Sequence, residues 1–137
     1  MPKGDIYYHL KFPFSDGTCG IKYFIVLFEP SNDKEPYIVA KTTSNLRGKS
    51  YSIGCNQNLK AFYVPQQNVQ VFHSNTLIQL HELFEFSNLE FTNGVNQNLV
   101  IQYKQALPPI LFSQLINCIK SIREDVSVKH YEMIMRK

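Results

Sequence analysis

The chain has 137 residues, 44% of them hydrophobic and 18% charged, a composition that excludes wholesale disorder and fits one domain, 1–137, with a sizeable core. Its formal charge of +3 permits a local basic patch and excludes the histone-like and polybasic membrane-binding classes. No apolar stretch approaches the roughly 18 residues needed to cross a bilayer, and Met1-Pro2-Lys3-Gly4-Asp5 has no apolar core for a signal peptide. Cys19, Cys55 and Cys118 are odd in number, widely spaced and without a C-x-x-C. They read as free thiols in a reducing cytosol rather than a disulfide scaffold or zinc site. The expectation is a cytoplasmic protein with no membrane partner.

Short aromatic and β-branched runs punctuated by Gly, Pro, Asn and Ser predict strands and turns over most of the chain. Ile6 to Phe12 is the first strand. Phe12 to Gly20 is a loop in which Asp16-Gly17 favours a tight turn. Lys22 to Glu29 is nearly continuous in apolar character and predicts a buried strand. Pro30 to Pro36 is a polar turn, and Tyr37 to Thr43 the next strand. Ser44 to Ser50 is a basic loop. Tyr51 to Ile53 and Ala61 to Val64 read as two strands around the polar turn Gly54 to Asn58. Thr76 to Phe86 is ambiguous but favours a strand: Leu77, Gln79, His81, Leu83 and Glu85 share one strand face that mixes apolar and polar, with a corner turned near Leu83. Ser87-x-x-Glu90 is a capping box fit for one helical turn. Asn93-Gly94 reads as a turn, and Leu99 to Tyr103 as a weaker element.

One helix is clear. Leu111, Leu115, Cys118, Ile119 and Ile122 form a single apolar stripe behind Pro108-Pro109, which suits a helix start. The segment 124–137 is a charged extension with scattered apolar residues, open to a second helix or strand packed on the barrel or to a frayed end. Many strands followed by one helix predict a mainly β, α+β architecture: a small, strongly bent sheet or barrel with a C-terminal helix on it.

Several chemistries lack their motifs. There is no G-x-x-x-x-G-K-[ST] and no G-x-G-x-x-G to cradle a nucleotide, and His81-Glu82 is not followed by the second histidine of H-E-x-x-H. G-x-S-x-G is missing. His9, His73, His81 and His130 are scattered. No metal and no cofactor is expected. His9 or His81 can serve as a general base near neutrality, or as a partly buried structural residue.

Gly4-Asp5-Ile6-Tyr7, the loop Ser15 to Gly20, the strand Lys22-Tyr23-Phe24-Ile25-Val26-Leu27 and the strand Ile38-Val39-Ala40-Lys41-Thr42-Thr43-Ser44 follow one another in the order and spacing of the MazF/PemK toxins. The sequence resembles a divergent member of that family over roughly residues 4 to 45. Lys22 stands where the family has an arginine, and no proline follows it. The resemblance implies a small SH3-like barrel and a metal-independent endoribonuclease of a toxin–antitoxin pair. In such an enzyme the 2′-hydroxyl of single-stranded RNA attacks the adjacent phosphate. It implies a homodimer and a cognate antitoxin as partners. It also implies Lys22 and Thr43 as catalytic residues, with Asp16, Thr42, Ser44, Arg47 and Lys49 contacting substrate. Lys22 would place a cation on the phosphate, and Thr43 a hydroxyl on a phosphate oxygen. Arg47, Lys49 and Lys60, interleaved with Tyr51, Phe62 and Tyr63, can offer cations to phosphates and rings to unstacked bases, or make an ordinary solvated loop beside core aromatics. Thr42 to Ser44 can equally be a strand end with local hydrogen bonds. Two further readings stand beside the ribonuclease: a binding toxin of the gyrase-poison type, and a barrel without chemistry that serves as a protein-interaction module.

Overall fold

The computed structural model describes residues 3–46, 50–66 and 74–136, with the backbone alone at 102–105. The strands are β1 (Asp5–Pro13), β2 (Cys19–Phe28), β3 (Tyr37–Thr43), β4 (Gly54–Asn56), β5 (Ala61–Val64), β6 (Thr76–Phe86) and β7 (Val100–Ala106). The helices are α1 (Asn88–Asn96), α2 (Pro109–Ser121) and α3 (Val128–Met135). The strands form one sheet in the order β4-β5-β6-β3-β2-β1-β7, antiparallel at every pairing. The mainly β, α+β expectation is met. The expected closure is not: β4 and β7 are each paired on one side only, so the described sheet is open. Helices cover parts of both its faces, which hides apolar surface that a closed barrel would otherwise enclose.

The continuous apolar run of β2 has a simple cause. Phe24, Ile25, Val26, Leu27 and Phe28 are all buried because both faces of the strand are covered. Ile25 and Leu27 join Ile6, Ile38, Ala40, Phe62, Ile78 and Leu80 under α2 and α3. Phe24 and Val26 join Tyr7, Phe12, Tyr37, Val39 and Phe86 on the opposite face, where Phe91 of α1 seals one end. That second core is aromatic. Phe91 meets Tyr7 edge-on at 5.0 Å and Tyr37 at 4.6 Å between ring centres, the tilted geometries that ring quadrupoles favour.

The mixed face of β6 is resolved by a slip in register. Thr43 faces Leu77 and Thr42 faces Ile78, but Ala40 faces Leu83 and Val39 faces Phe84. Four residues of β6 therefore bulge opposite Lys41 alone, and the odd slip exchanges the faces. Ile78 and Leu80 point to the α2 side, whereas Phe84 and Phe86 point to the aromatic side. The alternation is intact on each side of the slip.

Other expectations are corrected. Three helices form, not one. Ser87 does start a helix: Ser87 Oγ accepts from Glu90 N–H at 3.0 Å, and Ser87 N–H donates to Glu90 Oε1 at 3.0 Å. That helix runs through Asn93-Gly94 instead of turning there. A Cβ on Gly94 would come within 2.6 Å of the Val100 side chain, so the glycine marks close approach of α1 to β7. The stripe of α2 is buried as read, at Leu115, Cys118 and Ile119. Residues of the charged extension form α3, whose Met133 and Ile134 enter the core. The strand expected at Tyr51 to Ile53 lies instead at Gly54–Asn56.

The thiol reading also fails. Cys55 of β4 and Cys118 of α2 form a disulfide, with Cα atoms 5.3 Å apart, and only Cys19 is a free cysteine. A separation of 63 positions hides such a pair from any spacing rule. The argument from free thiols to a reducing compartment falls with it. Among the described residues no helix is long and apolar enough to cross a membrane.

Candidate functional site

The antiparallel pairing of β2 and β3 sets Phe24 against Lys41. Continuing that register brings the start of β2 beside the end of β3. Lys22, Tyr23, Thr42, Thr43 and Ser44 accordingly line one cleft of about 260 Å³, with Tyr8, Ile21, Ser74 and Thr76. A second cleft of about 370 Å³ shares Thr43 with it. Lys41, Asn45, Tyr51, Leu77, Gln79 and His81 are among its lining residues.

Lys22 is half-buried, and its ammonium is disfavoured. Burial, then the like charge of Lys41, hold its pKa below the ordinary lysine value of 10.5. Lys41 is pinned by rings: its Nζ lies 5.6 Å from the centre of Phe14 and 5.9 Å from that of Phe84. Phe14, just before the Ser15–Gly20 loop, is the contact on that side, and none of Ser15–Gly20 lines either cleft. Among the described residues no carboxylate lines either cleft, and neither lysine has an ion pair. Two cations held near one another without a counter-charge make a site that gains from an anion.

The hydroxyls differ from one another. Thr42 is 3% exposed and donates to the Tyr23 carbonyl at 3.0 Å. Its proton is committed to holding β2 and β3 together. Thr43 Oγ1 instead accepts from the Asn45 N–H at 3.1 Å, which leaves its own proton to donate. Ser44 is exposed at the cleft edge. Of the expected substrate contacts, Thr43 and Ser44 have hydroxyls suited to a ligand, and Thr42 serves the strand pairing.

Asp16 lines neither cleft. Its Oδ1 accepts from the Thr18 N–H at 2.9 Å and from the Thr18 hydroxyl at 2.6 Å, which closes its own turn and lowers its pKa. Arg47 and Lys49, and with them His73, lie outside the described residues. Lys60 pairs with Asp125 at 3.0 Å.

The histidines separate by environment. His9 packs against Phe12, Phe24 and Phe86, and burial lowers its pKa. Its Nδ1 accepts from the Lys11 N–H at 3.0 Å. It is a half-buried imidazole among rings, where burial disfavours its charged form. His130 Nε2 sits 2.6 Å from Glu85 Oε2 and ties α3 to β6. His81 is the exposed one that lines the second cleft.

Sequence reasoning named Tyr51 as a ring for an unstacked base and passed over Lys41 and Gln79 as site residues. A signal for Lys41 was present: on a strand it shares its face with Thr43, two residues on. Gln79 carried a signal too: alternation sets it on one face with Leu77 and His81, and all three line the second cleft. No protein-family model and no curated protein matches the chain.

Proposed function

We propose that the clefts around Lys22 bind a phosphodiester of single-stranded RNA, and that the protein cleaves it by attack of the 2′-hydroxyl on the adjacent phosphorus. One observation carries the reading: Lys22, Lys41 and the free O–H of Thr43 converge at one rim, and no carboxylate is among the described lining residues. A phosphodiester supplies the missing negative charge. The crowded phosphorane that follows carries more, so two fixed cations favour it over the ground state. Lys22, with its lowered pKa, is suited to hand a proton to the departing 5′-oxygen, and the proton of the attacking 2′-hydroxyl leaves to water or to His81 of the adjoining cleft. Thr43 O–H donates to a non-bridging oxygen. The products are a 2′,3′-cyclic phosphate and a 5′-hydroxyl. Kinship with the small SH3-like barrel toxins, a homodimer, a cytoplasmic setting and an antitoxin that covers the same rim belong to this proposal.

The direct test is incubation with single-stranded RNA in excess chelator. Accumulation of cyclic-phosphate ends supports the reading, and their absence overturns it. A second reading, binding without cleavage, has one observation in its favour. The first cleft holds no carboxylate or imidazole among its described lining residues to take the 2′-hydroxyl proton. Lys22-dependent RNA binding with no product would select it.

A further inference from the structure

The second cleft joins polar side chains and the cation Lys41 to an apolar floor and a ring. Its floor includes Leu59, Ala61 and Leu77. One wall is Tyr51, whose ring is stacked on Tyr63 at 6.0 Å between centres and 21° between planes. Its orientation is therefore set before any ligand arrives. The volume of about 370 Å³ lies at the small end of ligand pockets, which run from roughly 300 to 1,000 Å³.

Gln79 adds a polar edge under tension. Its side-chain oxygen is fully buried and has no hydrogen-bond partner. An acceptor left so is costly, and native structures contain few. Turning the amide toward the cleft breaks no bond of that oxygen, and a ligand N–H there would recover one. Apolar floor, oriented ring and an acceptor seeking a donor together describe a flat heteroaromatic ligand with N–H groups on its edge. Thr43 is common to both clefts, so a ligand in the second is joined to a phosphate in the first by a short span.

We propose that the second cleft is a nucleobase subsite: one unstacked base of the RNA strand lies against Tyr51 and donates from its edge to Gln79, while its neighbouring phosphate sits at Lys22 and Lys41. The inference rests on the phosphodiester reading above and deepens it to a base-reading site. Base–aromatic stacking is sequence-tolerant, so discrimination among bases falls to the Gln79 amide.

The test compares two probes of equal length on the intact protein, a short oligoribonucleotide and the same backbone made abasic, with binding followed by fluorescence anisotropy. The wild type should bind the base-bearing probe about 10-fold or more tightly, the scale of stacking one base. Tyr51→Ala and Gln79→Leu should each reduce that ratio, and Gln79→Leu should also flatten preference among the four homopolymers. Gln79→Leu replaces an unsatisfied amide by an apolar group of similar length, and a melting temperature at or above that of the wild type separates a binding effect from misfolding. Equal affinity for the two probes overturns the base subsite and leaves the phosphate site standing. Binding of neither probe overturns the phosphodiester reading. The subsite is then judged by titrating the four nucleosides and following the Gln79 side-chain amide by NMR. A shift with any of them supports the subsite, and no shift overturns it.

Discussion

The aromatic face of the sheet falls into two halves that share the same strands. Toward Tyr37, Val26 and Tyr7 it is closed: Phe91 of α1 plugs it, meeting Tyr7 edge to face and Tyr37 at a tilt. Toward Lys22, Lys41 and Thr43 it stays open, and the same alternation of β2 and β3 places amines and a hydroxyl where the closed half places rings. α1 has nine residues and covers one end only. The difference teaches that where a cover stops, the inward positions of a strand change from a packing task to a binding task, with no break in the strand itself. Lys41 stands at the boundary, its stem and ammonium against Phe14 and Phe84 and its place among the cleft residues.

Four measurements would break or sharpen this division. The largest effect belongs to the closed half. Phe24 is fully buried within the ring cluster, and Phe24→Ala should cost about 3–5 kcal/mol in urea unfolding. A loss near zero would mean that the aromatic cluster is not a packed core. In the open half the signature reverses: Lys22→Ala should lower RNA cleavage by about 10²-fold, the scale of removing one electrostatic stabiliser, with little change in melting temperature. Unchanged cleavage by a folded Lys22→Ala protein would remove the site.

Smaller is the effect of the cover. Ser87→Ala deletes half of the capping box and should cost about 1 kcal/mol of stability, read from the same urea curves. The smallest is a shift in pH dependence. The folded pKa of Lys22 is depressed, so its charge opposes folding and stability rises with pH through the window between that value and 10.5. Cleavage that needs the ammonium falls as pH rises through the same depressed value. Lys41→Met keeps the stem over the rings and removes the like charge. The alkaline limb of the rate profile should then move upward, and a limb that stays fixed or moves down would refute the coupling of the two amines.

Much of the sheet was legible because local pattern and burial agree. Tyr37 to Thr43 and Thr76 to Phe86 carry strand composition along their whole length, and both strands have those bounds. The i, i+4 stripe from Leu111 to Ile122 is short-range and needed no tertiary knowledge. Lys22 and Thr43 could be brought together on paper because one antiparallel pairing places them side by side. What stayed hidden depends on distant contacts. Asn93-Gly94 has the composition of a turn, and only the nearness of Val100 explains a glycine inside a helix. The exchange of faces between Leu80 and Phe84 follows from a slip against β3. The Cys55–Cys118 bond joins a three-residue strand to a helix that only the complete fold brings near.

The pairing of β1 with β7 carries a consequence in time. Tyr8 faces Ile101 and Asp5 faces Ala106, so β1 leaves the ribosome long before the strand that satisfies its outer edge. Until then its backbone amides and carbonyls are an open template for another chain. Pairings this distant in sequence also close slowly. The nascent protein is therefore most exposed to mispairing while the segment between β1 and β7 is being made, and a helper that shields the Asp5–His9 edge during synthesis would raise the yield of folded protein without touching its final stability.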